Sequence, residues 1–125
     1  MLSRYRIVRG ARGPDDPLPN GIRQDTRKHT RHILRPPASL VLALLEDSSA
    51  ASFARFERGY RALLEQRFAS ERARFDELAA LARETDVYLG CNCPSQRQPD
   101  VRRCHTALAL TFLRERYPDL EVKIP

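Results

Sequence analysis

Asp86-Val87-Tyr88-Leu89-Gly90-Cys91, the two-proline stretch Asn92 to Asp100, and the helical run from about Arg102 to Tyr117 together decide the fold. The first piece is a short apolar run of strand length ending at a cysteine, which predicts a buried strand. The second is a loop, because prolines punctuate it. The third carries apolar residues on more than one face and so predicts a well-buried helix, stopped by Pro118. Leu120 to Ile124 then alternates as a final strand. Strand, helix and strand in succession predict a C-terminal βαβ unit with a parallel strand pair.

Working towards the N-terminus, Ser70 is expected to begin a helix with Phe75, Leu78, Ala79 and Ala82 on one face. Ser52 is expected to cap another, whose Phe53, Phe56, Tyr60, Leu63 and Leu64 recur at three- and four-residue spacing. That stripe is read as core packing, since any core-facing helix requires it. Pro37 suits the first turn of a helix reaching about Glu46, where its missing N–H is not needed. Tyr5 to Val8 predicts a first strand. Residues 10–36 hold many glycines and prolines and predict a long, mobile loop, with a turn of helix or a short strand within Asp25 to Leu34. The expected architecture is α/β, a small mostly parallel sheet with flanking helices, in one domain spanning residues 1–125.

Composition narrows the function. The 125 residues are 42% hydrophobic, ordinary for a globular chain, and no apolar run exceeds Leu40 to Leu45. No membrane span is therefore expected, and the arginine-broken N-terminus lacks a secretion signal, so cytoplasmic residence is expected. Three cysteines, two of them one residue apart, do not suit a disulfide framework. Charge is asymmetric: up to Arg35 there are nine basic and three acidic residues, and beyond it thirteen of each. An anionic partner at the N-terminal end is the expectation, a small molecule or a nucleic acid, with Arg9, Arg23 and Arg27 supplying charge. His29 and His32 are expected at the surface.

The chemistry-bearing residues gather around Cys91-Asn92-Cys93 and Arg103-Cys104-His105-Thr106. Ligands of open parallel sheets collect beyond the carboxyl ends of the strands, where Cys91 falls. Three readings compete. The helix N-terminus, with Arg103, Thr106 and Asn92, can receive a phosphate or carboxylate. Cys91, Cys93, Cys104 and His105 offer four donors of the types zinc prefers, although adjacent positions 104 and 105 would diverge by about 100° on a helix. Cys104 beside arginine at a helix start can be a reactive thiolate with His105 as base. No phosphate-binding glycine loop and no serine-hydrolase elbow is present.

Arg35-Pro36-Pro37-Ala38-Ser39-Leu40 followed by Phe53-x-x-Phe56-x-x-x-Tyr60 resembles the conserved middle of the domain-of-unknown-function 488 family, the YeaO-like group. Gly21-Ile22-Arg23 resembles its early Gly-x-Arg, and Cys104-His105 its strand-loop-Cys-His-helix ending. The tryptophan-containing element of that group has no counterpart here. Cys91, Cys93, Pro94, Cys104 and His105 are also similar to the ending of a second family, domain-of-unknown-function 4326. The resemblance implies an α/β fold with a Cys-His corner and supplies no reaction.

Of the three readings, anion binding at the cysteine corner is taken first. A thiol-dependent enzyme using Cys104 and a zinc-binding interaction module are the alternatives.

Overall fold

Three short strands run parallel in the order β1-β3-β2. The computed structural model describes residues 1–125. In chain order the elements are β1 (Leu2–Arg6), β2 (Ile22–Asp25), α1 (Ala38–Glu46), α2 (Ala50–Ser70), α3 (Arg72–Glu84), β3 (Val87–Cys91), a 3-10 turn (Val101–Arg103) and α4 (His105–Arg116). The α/β fold is as expected from the sequence. No helix is long and apolar enough to cross a membrane.

β3 is central because it is the most apolar strand, with Val87 and Leu89 fully buried. Register pairs Leu2 with Val87 and Arg4 with Leu89, so these side chains share one face. That face packs into a buried cluster of 19 residues with Leu110, Phe112 and Leu113 of α4, and with Phe56, Tyr60, Leu64 and Phe75 of α2 and α3. The aromatic stripe is thus core, as its spacing demands. On the opposite face Tyr5 pairs with Gly90, where an added Cβ would lie 2.8 Å from the tyrosine ring. Gly90 is the gap into which that ring fits.

Four local expectations are corrected. β2 is a regular edge strand inside the expected loop, and its start needs Gly21 at φ +144, where a Cβ would sit 2.6 Å from the Asp86 carbonyl. Leu120 to Ile124 touches the sheet by a single parallel bridge, Val122 to Leu2. The βαβ unit therefore returns to β1, not to β3, and without a full strand. Helix α2 is capped by Ser49, whose hydroxyl accepts from the Ser52 N–H; it ends at Ser70, and α3 begins at Arg72 with no side-chain cap. Finally, the last helix is broken: after the 3-10 turn, Cys104 has extended backbone (φ −80, ψ 147) and is the N-cap of α4.

Because all three strands are parallel, Arg6, Asp25 and Cys91 end at one edge of the sheet. The segments after β1, β2 and β3 therefore converge there, together with the N-terminus of α4. This is the carboxyl edge at which sites in parallel sheets form.

Candidate functional site

Cys91 leaves the end of β3, Cys93 follows at a cis Cys93–Pro94 bond, and Cys104 caps α4. All three are free thiols, and their sulfurs lie within 4.8 Å of one another. Cys93 and Cys104 are buried, whereas Cys91 is half-buried. The 100° divergence expected of neighbours on a helix does not apply to Cys104 and His105, because Cys104 stands outside the helix. The His105 Nδ1 atom lies 3.7 Å from the Cys104 sulfur.

Two threonines flank this pair. Thr106 Oγ1 receives the Arg4 Nε–H at 2.9 Å and lies 3.2 Å from the Cys104 sulfur. Arginine cannot accept, so the single hydroxyl hydrogen of Thr106 is free to point at the sulfur. Arg4 also donates to the Cys93 carbonyl at 2.6 Å, tying β1 to the cysteine loop. On the other side, Thr26 Oγ1 donates to the Gly90 carbonyl at 2.9 Å and lies 2.8 Å from His105 Nε2. The sequence did not single out Arg4 or Thr26. Neither carries a motif, and each meets the site only through tertiary contact.

These contacts set the ionisation. Hydrogen bonds from Cys91 and Cys93, and then from His105, hold the Cys104 thiol well below its ordinary range, against the opposing effect of burial. Burial is the largest influence on His105 and acts downward, but hydrogen bonds with Cys104 and Cys91 outweigh it and raise the imidazole to about 9. Cys93 is pushed up by hydrogen bonding to Cys104 and Cys91, and so stays a thiol. The pair therefore favours thiolate and imidazolium. The backbone N–H groups of His105 and Thr106 have no backbone acceptor, leaving α4 with free donors at this end.

A cavity of about 160 Å³ opens on Cys91, Asn92 and His105, with Arg27, Lys28 and His29 on its wall. A second, of about 570 Å³, is lined by Ile7, Val8, Arg9, Arg27 and Asn92. Arg27 and Asn92 border both. Arg27 forks Asp25 (Nε–H to Oδ1 3.0 Å, Nη2–H to Oδ2 2.7 Å) and donates to Asn92 Oδ1 at 3.1 Å. Its guanidinium holds the Asp25 carboxyl below the usual carboxylate range.

Of the anion-binding residues expected from the sequence, Arg9, Arg27 and Asn92 line one cavity at this edge, whereas Thr106 is fully buried against Arg4 and the Cys104 sulfur and lines neither cavity. Arg23 lies elsewhere. It pairs in register with Tyr88, on the face opposite Leu89, donates to the Pro19 carbonyl at 3.0 Å, and lines a different cavity beside Tyr5. Arg103 is also elsewhere: it donates to the Ser48 carbonyl at 2.7 Å and lies over the Phe53 ring. Asp100 accepts from the Arg102 N–H and so caps the 3-10 turn, not α4. His32 is also not a surface residue. It is half-buried, between Gln24 Oε1 and the Leu34 N–H.

The three sulfurs are donors suited to zinc; His105, expected as a fourth ligand, stands outside that cluster, with Nδ1 beside Cys104 alone. The same arrangement also suits a thiolate nucleophile with an adjacent proton carrier.

Residues 7–117 match the family model described as the active DUF488-N3 subclade. No curated protein and no solved structure matches the chain. The match runs from the end of β1 through the whole of α4, and so takes in every cysteine, His105 and Thr26. With its Cys-His corner at the sheet edge, this protein belongs to DUF488-N3a, a subclade of the domain-of-unknown-function 488 family.

Proposed function

We propose that the protein is a thiol-dependent enzyme acting on an anionic substrate, nucleotide-like or part of a nucleic acid, with Cys104 as nucleophile and His105 as its proton partner. The observation that carries the reading is the 3.7 Å contact of His105 Nδ1 with a sulfur that also receives the Thr106 hydroxyl. A nucleophile, a base and a group orienting the base is the pattern of activated-nucleophile catalysis. The family's description as an active subclade accords with it.

In the proposed step the Cys104 thiolate attacks an electrophilic centre, forming a bond to sulfur. The bond to the leaving group breaks, and the leaving group takes the proton from Nδ1, which returns His105 to its neutral form. A nucleophile needs its thiolate, and Cys104 is the thiol held low. Support for the anionic class comes from the two cavities bordered by Arg27, with Arg9, Lys28 and His29 around them. Neither Arg9 nor Lys28 has an acidic partner. Cys104 itself is only 3% exposed, so substrate must approach past Cys91 and His105, which line the smaller cavity.

The test is the pH dependence of thiolate absorbance and of iodoacetamide labelling, mapped to each cysteine, in the wild type and in Cys104→Ser. The expected result is a thiolate below neutral pH that disappears in the variant. A Cys104 that ionises and reacts like a free thiol sinks the reading.

The clustering of three sulfurs within 4.8 Å favours a second reading, a zinc site built on Cys91, Cys93 and Cys104. Elemental analysis of protein purified without chelators separates the two. One zinc per chain with protected thiols overturns the nucleophile reading, and metal-free protein overturns the zinc reading.

A further inference from the structure

We propose that Thr26 is the positioning residue of the Cys104–His105 pair: its hydroxyl holds His105 in the orientation and tautomer that turn Nδ1 to the Cys104 sulfur. The inference rests on the thiol reading above and adds to it the group that orients the base.

Thr26 is fully buried and is the first residue beyond β2. Its own N–H donates to the Gly90 carbonyl at 3.1 Å, which anchors its backbone to β3. Its hydroxyl oxygen approaches the same carbonyl to 2.9 Å. Two oxygens so close repel unless a hydrogen lies between them, and the carbonyl has none. The one hydroxyl hydrogen of Thr26 is therefore committed to Gly90. The 2.8 Å contact with His105 Nε2 then has only one solution: Nε2 carries the hydrogen and Thr26 accepts it.

The consequence lies at the other nitrogen. With Nε2 protonated, neutral His105 presents a lone pair at Nδ1, facing the sulfur, and can take a proton from it. The opposite tautomer would put a hydrogen on Nδ1 and leave a buried lone pair at Nε2 with no donor. The Tyr60 ring meets the imidazole edge-on, with centroids 5.9 Å apart, and constrains its plane. The three parts come from separate strand ends: Thr26 follows β2, Gly90 lies in β3, and His105 opens α4. The sheet edge itself thus aligns the base.

The test uses the full chain with Thr26→Val, which keeps shape but removes the acceptor, and Thr26→Ser, which keeps the hydroxyl. In the valine variant the pH midpoint of Cys104 thiolate absorbance is expected to rise by roughly one unit. Iodoacetamide labelling measured at a pH below the wild-type midpoint should slow by about tenfold in step with it. Serine should restore both to within about threefold of wild type. A valine variant with wild-type midpoint and labelling rate overturns the assignment of Thr26 while leaving the thiol reading intact. A wild-type Cys104 that ionises like a free thiol overturns the thiol reading first, so the two failures are distinguishable. Nitrogen-15 NMR of wild-type His105 tests the inference without any variant. Protonated Nε2 at every pH supports it, and a neutral ring with hydrogen on Nδ1 overturns it.

Discussion

His105 Nδ1 and Cys104 Sγ stand 3.7 Å apart although the residues are chain neighbours, because Cys104 is extended N-cap and His105 is the first helical residue. The break in conformation between them lets both side chains turn to one point. Their shared proton gives a specific pH signature. His105, raised to about 9, contributes stability that is present below its unfolded value near 6.5 and lost as pH rises through 9. Cys104, held low, contributes stability that is present above its ordinary value near 9 and lost as pH falls through its lowered one. Between about 6.5 and 9 the two slopes cancel. Urea unfolding across pH should therefore be flat in that window for this pair and weaken below it. Cys104→Ser should remove its share of the acid-side loss.

His32 adds a second acid-side loss, which can be separated by mutation. Its Nδ1 accepts the Leu34 N–H at 3.1 Å, and its Nε2 pairs with Gln24 Oε1 at 2.7 Å. Only the first needs the neutral ring: Nε2–H donates to Gln24 Oε1 in either state, whereas a protonated Nδ1 cannot accept. Burial, with the nearby Arg74 and His105 charges, lowers it to about 4. For a histidine held neutral, the stability is lost as pH falls from about 6.5 through 4, by at most about 3 kcal/mol and less where solvent reaches the ring. His32→Asn should flatten this part of the stability profile relative to wild type. An unchanged acid slope would show that His32 is not the source of this acid-side loss.

Arg67 supports the connection from β2 to α1. From α2, its Nη1 donates to the Ile33 and Arg35 carbonyls, both at 2.7 Å, and Tyr60 donates to the Leu34 carbonyl between them. Burial lowers the Arg67 guanidinium below its usual range, and no acid neutralises it. Arg67→Met should cost about 3 kcal/mol in urea unfolding, since charged hydrogen bonds are lost and a buried carbonyl is left without a donor. Tyr60→Phe should cost about 1 kcal/mol.

Arg4 is expected to tune the sulfur from the opposite side to Thr26. Arg4→Gln removes the forked donor that orients Thr106 and holds the Cys93 carbonyl. Labelling of Cys104 at neutral pH should slow several-fold. Arg4→Lys should not restore it, because one ammonium cannot replace a guanidinium fork. Equal labelling in wild type and Arg4→Gln would remove Arg4 from the account.

Binding of a single-stranded oligonucleotide, followed by fluorescence anisotropy, distinguishes a nucleic-acid substrate from a small anion. A nucleic acid should give a linear fall of log affinity with log salt, and the double variant Arg9→Ala and Lys28→Ala should reduce that slope by roughly 1.4. No oligonucleotide binding at low salt, with binding of a nucleoside monophosphate, would assign the cavities to a small anion.

Residue pattern was enough to place β3, the loop after it and the body of α4, and to set three cysteines near the end of β3. An apolar run, a loop with prolines and a buried helix leave few alternatives over residues 86–117, because periodicity and chain breakers are local properties. The Pro36–Tyr60 pattern likewise pointed to the family. β2 was not legible, since Ile22-Arg23-Gln24-Asp25 has no apolar alternation: it lies at the sheet edge with Ile22 exposed, and pairing with β3 makes it a strand. The extended Cys104 was hidden for a related reason, because the 3-10 turn before it still reads as helix in residue preference. Tertiary structure alone decided which arginines face the cysteines and which threonines govern the pair. Thr26 and His105 are 79 residues apart, and Arg4 and Thr106 are 102 apart. A hydrogen bond across such a separation has no local signature; it exists only once parallel strands bring their carboxyl ends to one edge.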